Sequence, residues 1–508
     1  MKRLILGIGI AIAFGTNLYS ETIELTLKEA LILALKNNRN IKIEEFNVEK
    51  SEGEITKQKG IFDPLLRLES YYTDAEIPTA STFIESGSIN EEEFNISSGI
   101  EGRLPTGTFY NIAEFSATRS ETDSPIEDLS PNWFTTLKFS IGQDLLRDFG
   151  LGVNLTGVIN AKRSGEISIN ELIRVINDTF LSVEVDYWTL VATIENLELQ
   201  QTALEVAKDL QRRNEIQVEV GVLPLIAVTQ AKSEVAARKV DVLSAENLVD
   251  EISDRLRNIL LLPLVQNIVP VDTPEKEFKS FDENSVLKQS LSNRPEVKQA
   301  QLNIDNTEST KKFYSNQRLP RLSVQGVLEF QGLSGEENEN QLTFGNNNLD
   351  DGISQRFSDF SDSFDQISDG DFINWSIVGV FSYPIFNWEA RGEYVKAKAD
   401  YNRSIVEYDK IIDDVNLEVR SALREIENSQ ERIQAAEVSV ELRKQVVINE
   451  EVRLNVGIGT TRELLEAQRD LVDARVSQIR AIADYNIALA SLDRARGTII
   501  RNKGIIIE

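Results

Sequence analysis

The sequence predicts a mixed chain, α plus membrane β, built as two matched halves that each join alternating strands to long coiled-coil helices. Three observations predict this class. An apolar seam runs at three- and four-residue spacing, without a slip, through Ile405, Tyr408, Ile412, Val415, Val419, Ala422, Ile426, Ser429, Ile433, Ala436 and Val440. Several segments of about ten residues alternate apolar and polar side chains, the signature of a strand with two different faces. Short motifs of the first half recur, in the same order, in the second.

The chain opens with Lys2 and Arg3, a short apolar run from Leu4 to Phe14, and Leu18-Tyr19-Ser20 before Glu21. That pattern reads as a secretory signal, because the apolar run is shorter than the ~20 residues a spanning helix needs. The rest holds no candidate membrane helix, so entry into a bilayer requires a closed β-barrel. Cysteine and histidine are both absent. Disulfides, thiolate catalysis, a Ser-His-Asp triad and histidine metal sites are therefore excluded. The net charge of −28 opposes nucleic acid and anionic lipid surfaces as partners.

Proline punctuates the chain and is missing between Pro131 and Pro224 and again after Pro384. Both gaps carry helical patterns. A helix from about Arg391 to Glu451 would be roughly 90 Å long. The internal matches are Asn37-Asn38-Arg39-Asn40 with Ser292-Asn293-Arg294-Pro295, Asp63 to Leu68 with Leu319 to Val324, and Val220-Gly221-Val222 with Val456-Gly457-Ile458. Expected boundaries follow: a leader at 1–20, a first-repeat helical segment at 21–62, and its strands and loops at 63–143. A pair of long helices turning near 221 is expected at 144–262, then a linker and helix at 263–318. The second repeat's strands and acidic loop fall at 319–386, its long helices turning near 457 at 387–497, and a tail at 498–508.

In the strands, Leu322, Val324, Gly326, Leu328 and Phe330 alternate with Ser323, Gln325, Val327 and Glu329. Trp375, Ile377, Gly379 and Phe381 alternate with Ser376, Val378 and Val380. Leu137, Phe139 and Ile141 do the same in the first half, as do Leu66, Leu68 and Tyr72. On the membrane reading, Leu137, Phe139, Leu322, Val324, Leu328, Phe330, Ile377 and Phe381 meet lipid. A soluble sheet with one buried face has the same period. Trp133, Phe134, Phe386 and Trp388 are candidate interfacial anchors. Leu104 to Thr108 reads as a turn between two short strands within 94–118, an additional hairpin whose place is open. Residues 332–370 read as an acidic loop. Its Asn346 to Gly352 stretch lacks the glycine position and terminal glutamate of an EF-hand and reads as solvated.

Taken together, the motifs resemble those of the TolC-like outer-membrane efflux family, the outer membrane factors. The resemblance is carried by Leu454-Asn455-Val456-Gly457-Ile458-Gly459-Thr460-Thr461-Arg462-Glu463-Leu464-Leu465-Glu466-Ala467-Gln468, by Asp484-Tyr485-Asn486 and Ala495-Arg496-Gly497, by Tyr383 to Trp388, and by Asp148-Phe149-Gly150 before Asn154-Leu155. It implies a homotrimer in which each protomer lends four strands to one shared, twelve-stranded β-barrel. The barrel stands in the outer membrane of a diderm bacterium and continues as an α-helical coiled-coil tunnel in the periplasm. Physics agrees that four strands cannot enclose a pore alone, since eight-stranded barrels barely leave an interior. The implied partners are a periplasmic adaptor (membrane fusion) protein, an inner-membrane pump of the RND or ABC type, and outer-membrane lipid. No cofactor and no enzymatic activity are implied.

By the same resemblance, Gly221, Gly457 and Gly459 mark the periplasmic helix tips, and residues 214–228 and 450–464 form the adaptor-docking surface. Glu463 and Glu466 ring the tunnel's narrow aperture. Thr460 and Glu463 are also spaced as a capping box, which explains an acid there without a pore. Family members often carry an arginine and a tyrosine near this turn, where this chain has Gly459 and Leu454. The first tip likewise has Ala227 and Val228 where an acid would stand. The closing contacts therefore differ here, with Arg453 and Arg462 as candidates. The expected role is a passive exit duct for drugs, toxic small molecules or ions. The same fold also serves as an outlet for type I protein secretion. A secreted coiled-coil scaffold without a pore is the reading from another class.

Overall fold

The computed structural model describes residues 22–84, 86–263, 267–340 and 359–505. The leader and the 346–352 stretch lie outside these described residues. Among them, no helix is long and apolar enough to cross a membrane.

The chain begins with β1 (Thr22–Leu25), α1 (Leu27–Asn37), α2 (Arg39–Lys59) and a single 3-10 turn (Gly60–Phe62). Four strands follow: β2 (Leu65–Pro78), β3 (Ser88–Arg103), β4 (Thr108–Thr122) and β5 (Leu129–Asp144). Then come α3 (Leu151–Asn154), α4 (Thr156–Glu219), α5 (Leu225–Leu260) and β6 (Asn267–Pro270). The second half runs α6 (Glu283–Asn293), α7 (Pro295–Gln317), β7 (Arg321–Glu337), α8 (Phe360–Asp369), β8 (Phe372–Ser382), α9 (Trp388–Asn455), α10 (Thr461–Ala495) and α11 (Ile499–Asn502). The two halves break their opening helices at matched places, Asn38 and Arg294. Pro295 then starts α7, where its missing N–H costs no helical hydrogen bond.

The chain divides into two compact units. One holds Met1–Asn47, Ser168–Gln299 and Asp409–Glu508. Its small sheet pairs β1 with β6 in parallel. Its core gathers Leu31, Ile176, Phe180, Tyr187, Leu190 and Leu256, all fully buried. Thr26 caps α1 through a reciprocal box with Glu29. The buried Tyr187 hydroxyl donates to Leu25 O (2.9 Å), and Asp272 accepts from the Leu27 N–H (2.6 Å). Burial raises the Tyr187 phenol well above its ordinary value. Along α9, the seam residues Val415, Val419, Ala422, Ile426, Ser429 and Ile433 are buried, while most residues between them are exposed. The three-four spacing thus places one stripe inside, as a coiled-coil seam requires.

The other unit holds Val48–Ile167 and Ala300–Tyr408. Its sheet has six strands in the order β2-β3-β4-β5-β7-β8. Every neighbouring pair is antiparallel. This corrects the expected strand number. The 94–118 stretch is not a pair of short strands but the greater part of β3 and β4, 16 and 15 residues long. The chain's own sheet therefore has six strands, where four per protomer were expected. The alternation was harder to read here because Ser98 interrupts the apolar series. The register also shifts between Ser98 and Ile100 and between Asn111 and Glu114, where Ala113 takes a positive φ of 55°.

The acidic 332–370 segment is also partly ordered. Its first residues extend β7 to Glu337, and Asp359 and Asp362 form a capping box that starts α8. That helix lies on the sheet: Thr135 Oγ1 donates to Ser363 O (3.0 Å), and Phe115 meets Phe364 edge-on at 6.1 Å. Gln366 bonds both the N–H and the carbonyl of Leu333 at 3.0 Å. Its amide thus substitutes for a neighbouring strand just beyond the start of β8.

Candidate channel wall and helical tips

The register gives the six-stranded sheet two chemically distinct faces. Leu137 pairs with Phe330, Phe139 with Leu328, Leu328 with Trp375, and Leu322 with Phe381. Directly paired residues share a face. Leu137, Phe139, Leu322, Val324, Leu328, Phe330, Ile377 and Phe381 therefore stand together on one side. The pairs Leu66–Ile100 and Ile100–Ile112 carry that face across β2, β3 and β4. Beyond the patch at Thr135 and Phe115 where α8 lies, much of this face is open: Ile377 is 71% and Phe381 66% exposed.

The opposite face is mostly a polar ladder, with Val327, Val378 and Val380 among its polar residues. Arg67 pairs with Glu101 at 2.9 Å, and Lys138 with Glu114 at 3.5 Å. The Asn95 amide donates to Ser116 (2.9 Å) and Thr118 (2.7 Å). Below the strands, the buried Asp144 carboxylate takes Arg103 on one oxygen and Arg321 on the other, each at 3.1 Å. It fastens the ends of β3, β5 and β7 together. Phe386 stacks on Trp388 beyond the end of β8, both well exposed. Trp133 lies on the apolar face and Phe134 on the polar one, since Trp133 pairs with Ser334 and Phe134 with Leu333.

The two helical tips share one backbone geometry. At the first, the Val222 N–H donates to Gln217 O (2.7 Å) and the Gly221 N–H to Val218 O (3.0 Å). At the second, Ile458 donates to Arg453 O (3.0 Å) and Gly457 to Leu454 O (3.1 Å). Both are Schellman closures, and both need a left-handed residue: φ is 77° at Gly221 and 80° at Gly457. Gly459 is required for a different reason. A Cβ there would stand 2.9 Å from Leu454 N, against the end of α9.

The tips differ in how the next helix starts. Pro224 begins α5 without a side-chain cap. Thr460 begins α10 with a full capping box: Thr460 N–H donates to Glu463 Oε2 (2.9 Å), and Glu463 N–H to Thr460 Oγ1 (3.2 Å). The Thr460 backbone and hydroxyl donors hold the Glu463 carboxyl below the usual carboxylate range. Glu463 and Glu466 are both exposed, away from the buried Thr461, Leu464, Leu465 and Ala467. Arg453 pairs with Glu450 at 2.8 Å, and Arg462 is exposed.

Three further features were not legible in the sequence. The hairpins pack through Leu210, Leu464 and Leu465, and the buried Asn214 amide donates to Ala227 O (3.3 Å). Behind them, the buried Glu234 holds Arg238 (2.9 Å) on its own helix and Arg469 from α10. The Glu234–Arg238 spacing of four is ordinary on any helix, so only the fold reveals its partner in α10. Each tip also carries exposed apolar side chains, Val220, Val222, Leu225 and Ile226 on one and Val456 and Ile458 on the other. Among the described residues no cluster of acids is placed to hold a metal ion.

Residues 112–260 and 286–498 match the model of the outer membrane efflux protein family. No curated protein matches the chain in sequence. Solved structures with the same fold include the Campylobacter jejuni CmeC outer membrane channel, at 17% identity and a TM-score of 0.64, covering 93% of this chain and 86% of that one. The Vibrio cholerae outer membrane protein VceC aligns at 16% identity and a TM-score of 0.64, covering 93% and 96%. The open-state Neisseria gonorrhoeae MtrE outer membrane channel aligns at 15% identity and 0.61, covering 93% and 89%. The match spans well over half of the chain: the chain belongs to the outer membrane efflux protein family.

Proposed function

We propose that this protein is the outer-membrane exit duct of a tripartite export system, working as a homotrimer. The observation that carries this reading is the two-faced sheet with exposed apolar side chains and free edges. Among the described residues, β2 and β8 each have a partner on one side only. Lipid does not tolerate an unpaired strand edge. Copies of the chain must therefore supply the missing neighbours. The apolar face then meets lipid, including Leu137, Phe139, Leu322, Val324, Leu328, Phe330, Ile377 and Phe381, and the polar ladder faces a wet lumen.

The helical tips are the coupling end. Their exposed valines, leucine and isoleucines suit a periplasmic adaptor's apolar contacts, and the surface spans 214–228 and 450–464 around Gly221, Gly457 and Gly459. Glu463 and Glu466 lie on the exposed side of α10's first turn. Repeated in three copies, they would place six carboxylates at the aperture and favour cations. An inner-membrane pump of the RND or ABC type supplies both energy and cargo, whether drugs, toxic small molecules or ions, so cargo is not written in this chain. Type I protein secretion uses the same duct with another pump.

Purified protein in planar bilayers should conduct. Deletion of the gene should raise drug or metal susceptibility and leave the secreted proteome unchanged. Loss of secreted proteins with unchanged susceptibility would favour the secretion outlet. A water-soluble product with no conductance would leave only the scaffold reading.

A further inference from the structure

We infer that the β3–β4 hairpin is a full-height part of the membrane wall, and that β8 of one copy pairs with β2 of the next to close a ring of eighteen strands. The inference rests on the homotrimeric duct and concerns the width of its mouth. Six strands from each of three copies make eighteen.

The hairpin is not a flap over the mouth. Its lower turn, at Leu104 to Gly107, is fastened where the strands give way to helices. The Gly150 N–H donates to Thr106 O (3.0 Å), and the Gln143 amide donates to the same oxygen (3.2 Å). A Cβ at Gly107 would run into the Asp148 carbonyl oxygen. From that anchor both strands run the height of their neighbours, with β3 paired to β2 from Glu101 to Ser88.

The two-faced pattern also crosses the hairpin. Ile96, Ile100 and Ile112 stand on the apolar side and are exposed, while Asn95, Glu101 and Glu114 stand on the polar side. A hairpin in water has no reason to keep such a face, whereas a segment of barrel wall requires it.

The edges fit a second copy of this chain. An inserted hairpin adds two strands and preserves the alternation. β2 and β8 therefore still run in opposite directions and can pair antiparallel across each of three seams. β8 is 11 residues long, β2 is 14, and both are exposed along nearly their whole length. Those lengths suffice to span, since a tilted strand needs about 9–11 residues. β8 carries no charged residue and no proline. Edges that stay free are blunted by such residues, and this one is not.

At about 4.8 Å between strands and about 40° tilt, eighteen strands give a backbone diameter of about 36 Å, against about 24 Å for twelve. The mouth then has roughly twice the cross-section of a twelve-stranded one.

The test is cryo-electron microscopy of the full-length protein in nanodiscs. A trimer with eighteen strands in cross-section is expected. A trimer with twelve strands and the hairpin outside the ring would overturn the inference while leaving the duct intact, whereas a monomer would end both. The chain has no cysteine, so I96C, I112C and L328C can each be labelled with a fluorophore in vesicles of brominated lipid. Quenching at Ile96 and Ile112 should come within twofold of that at Leu328. Quenching at Leu328 alone would place the hairpin outside the wall.

Discussion

The helical unit and the sheet use the same apolar residue types in opposite ways. In the helical unit Phe180, Tyr187 and Leu190 have no exposed surface. In the sheet Trp375, Ile377 and Phe381 project outward, 66% exposed or more. Water-facing helices hide apolar side chains because removing that surface from water is the main driving force for their packing. A strand that meets hydrocarbon gains nothing by hiding them, and instead keeps its polar groups inside. What counts as the core depends on the solvent, and this chain has two.

That contrast can be broken by substitution. The largest effect is expected in the helical core, where Phe180→Ala should cost about 3–5 kcal/mol and lower the thermal unfolding midpoint. In the sheet, Leu328→Arg should cost about 2–4 kcal/mol if the residue lies near the bilayer midplane, and should reduce the assembled protein recovered from outer membranes. Glu329→Arg, one residue away on the opposite face, should assemble nearly as wild type. Equal defects in the two variants would mean that the faces are not divided between lipid and water.

Smaller effects sharpen the picture at the tips. Gly457→Ala meets open space but keeps a φ of 80°, so the cost is backbone strain of about 1–2 kcal/mol. It should appear as faster hydrogen exchange in the last turn of α9. Thr460→Ala removes a cap worth about 1 kcal/mol and should loosen the start of α10. α5, begun by Pro224, has no equivalent side chain to lose.

The smallest structural change is electrical. Glu463→Gln with Glu466→Gln should lower cation preference, read as a shift in reversal potential, with no change in fold. Glu463 also carries a pH dependence. Its carboxyl is lowered in the folded chain by the Thr460 donors. The cap is therefore fully formed above the unfolded value of roughly 4.3 and is lost as pH falls through the lower folded value. Exchange protection at the α10 start should hold from neutral pH down to that range and fall below it.

Much of this was legible in the sequence because periodicity survives without contacts. The α9 seam from Val415 to Ile433 and the alternations of Leu322 to Phe330 could be read directly, and the structure places each series on one side of its element. Gly221 and Gly457 stood out because a left-handed helix end tolerates few other residues. The β3–β4 hairpin was only half legible. Ser98 and two register shifts blur its alternation, and no local pattern says that a turn at Leu104–Gly107 will dock on Gly150. The Glu234–Arg469 pair joins residues far apart in the chain, and charge patterning within one helix carries no information about it. The apolar tips were visible as single valines and isoleucines, but exposure depends on packing that only the fold supplies.

The shared wall can be weighed. Native mass spectrometry of the detergent-released protein should give a particle of three chains that dissociates only when the strands unfold. A single chain, monodisperse and soluble without detergent, would show that β2 and β8 need no neighbour and that no wall is shared.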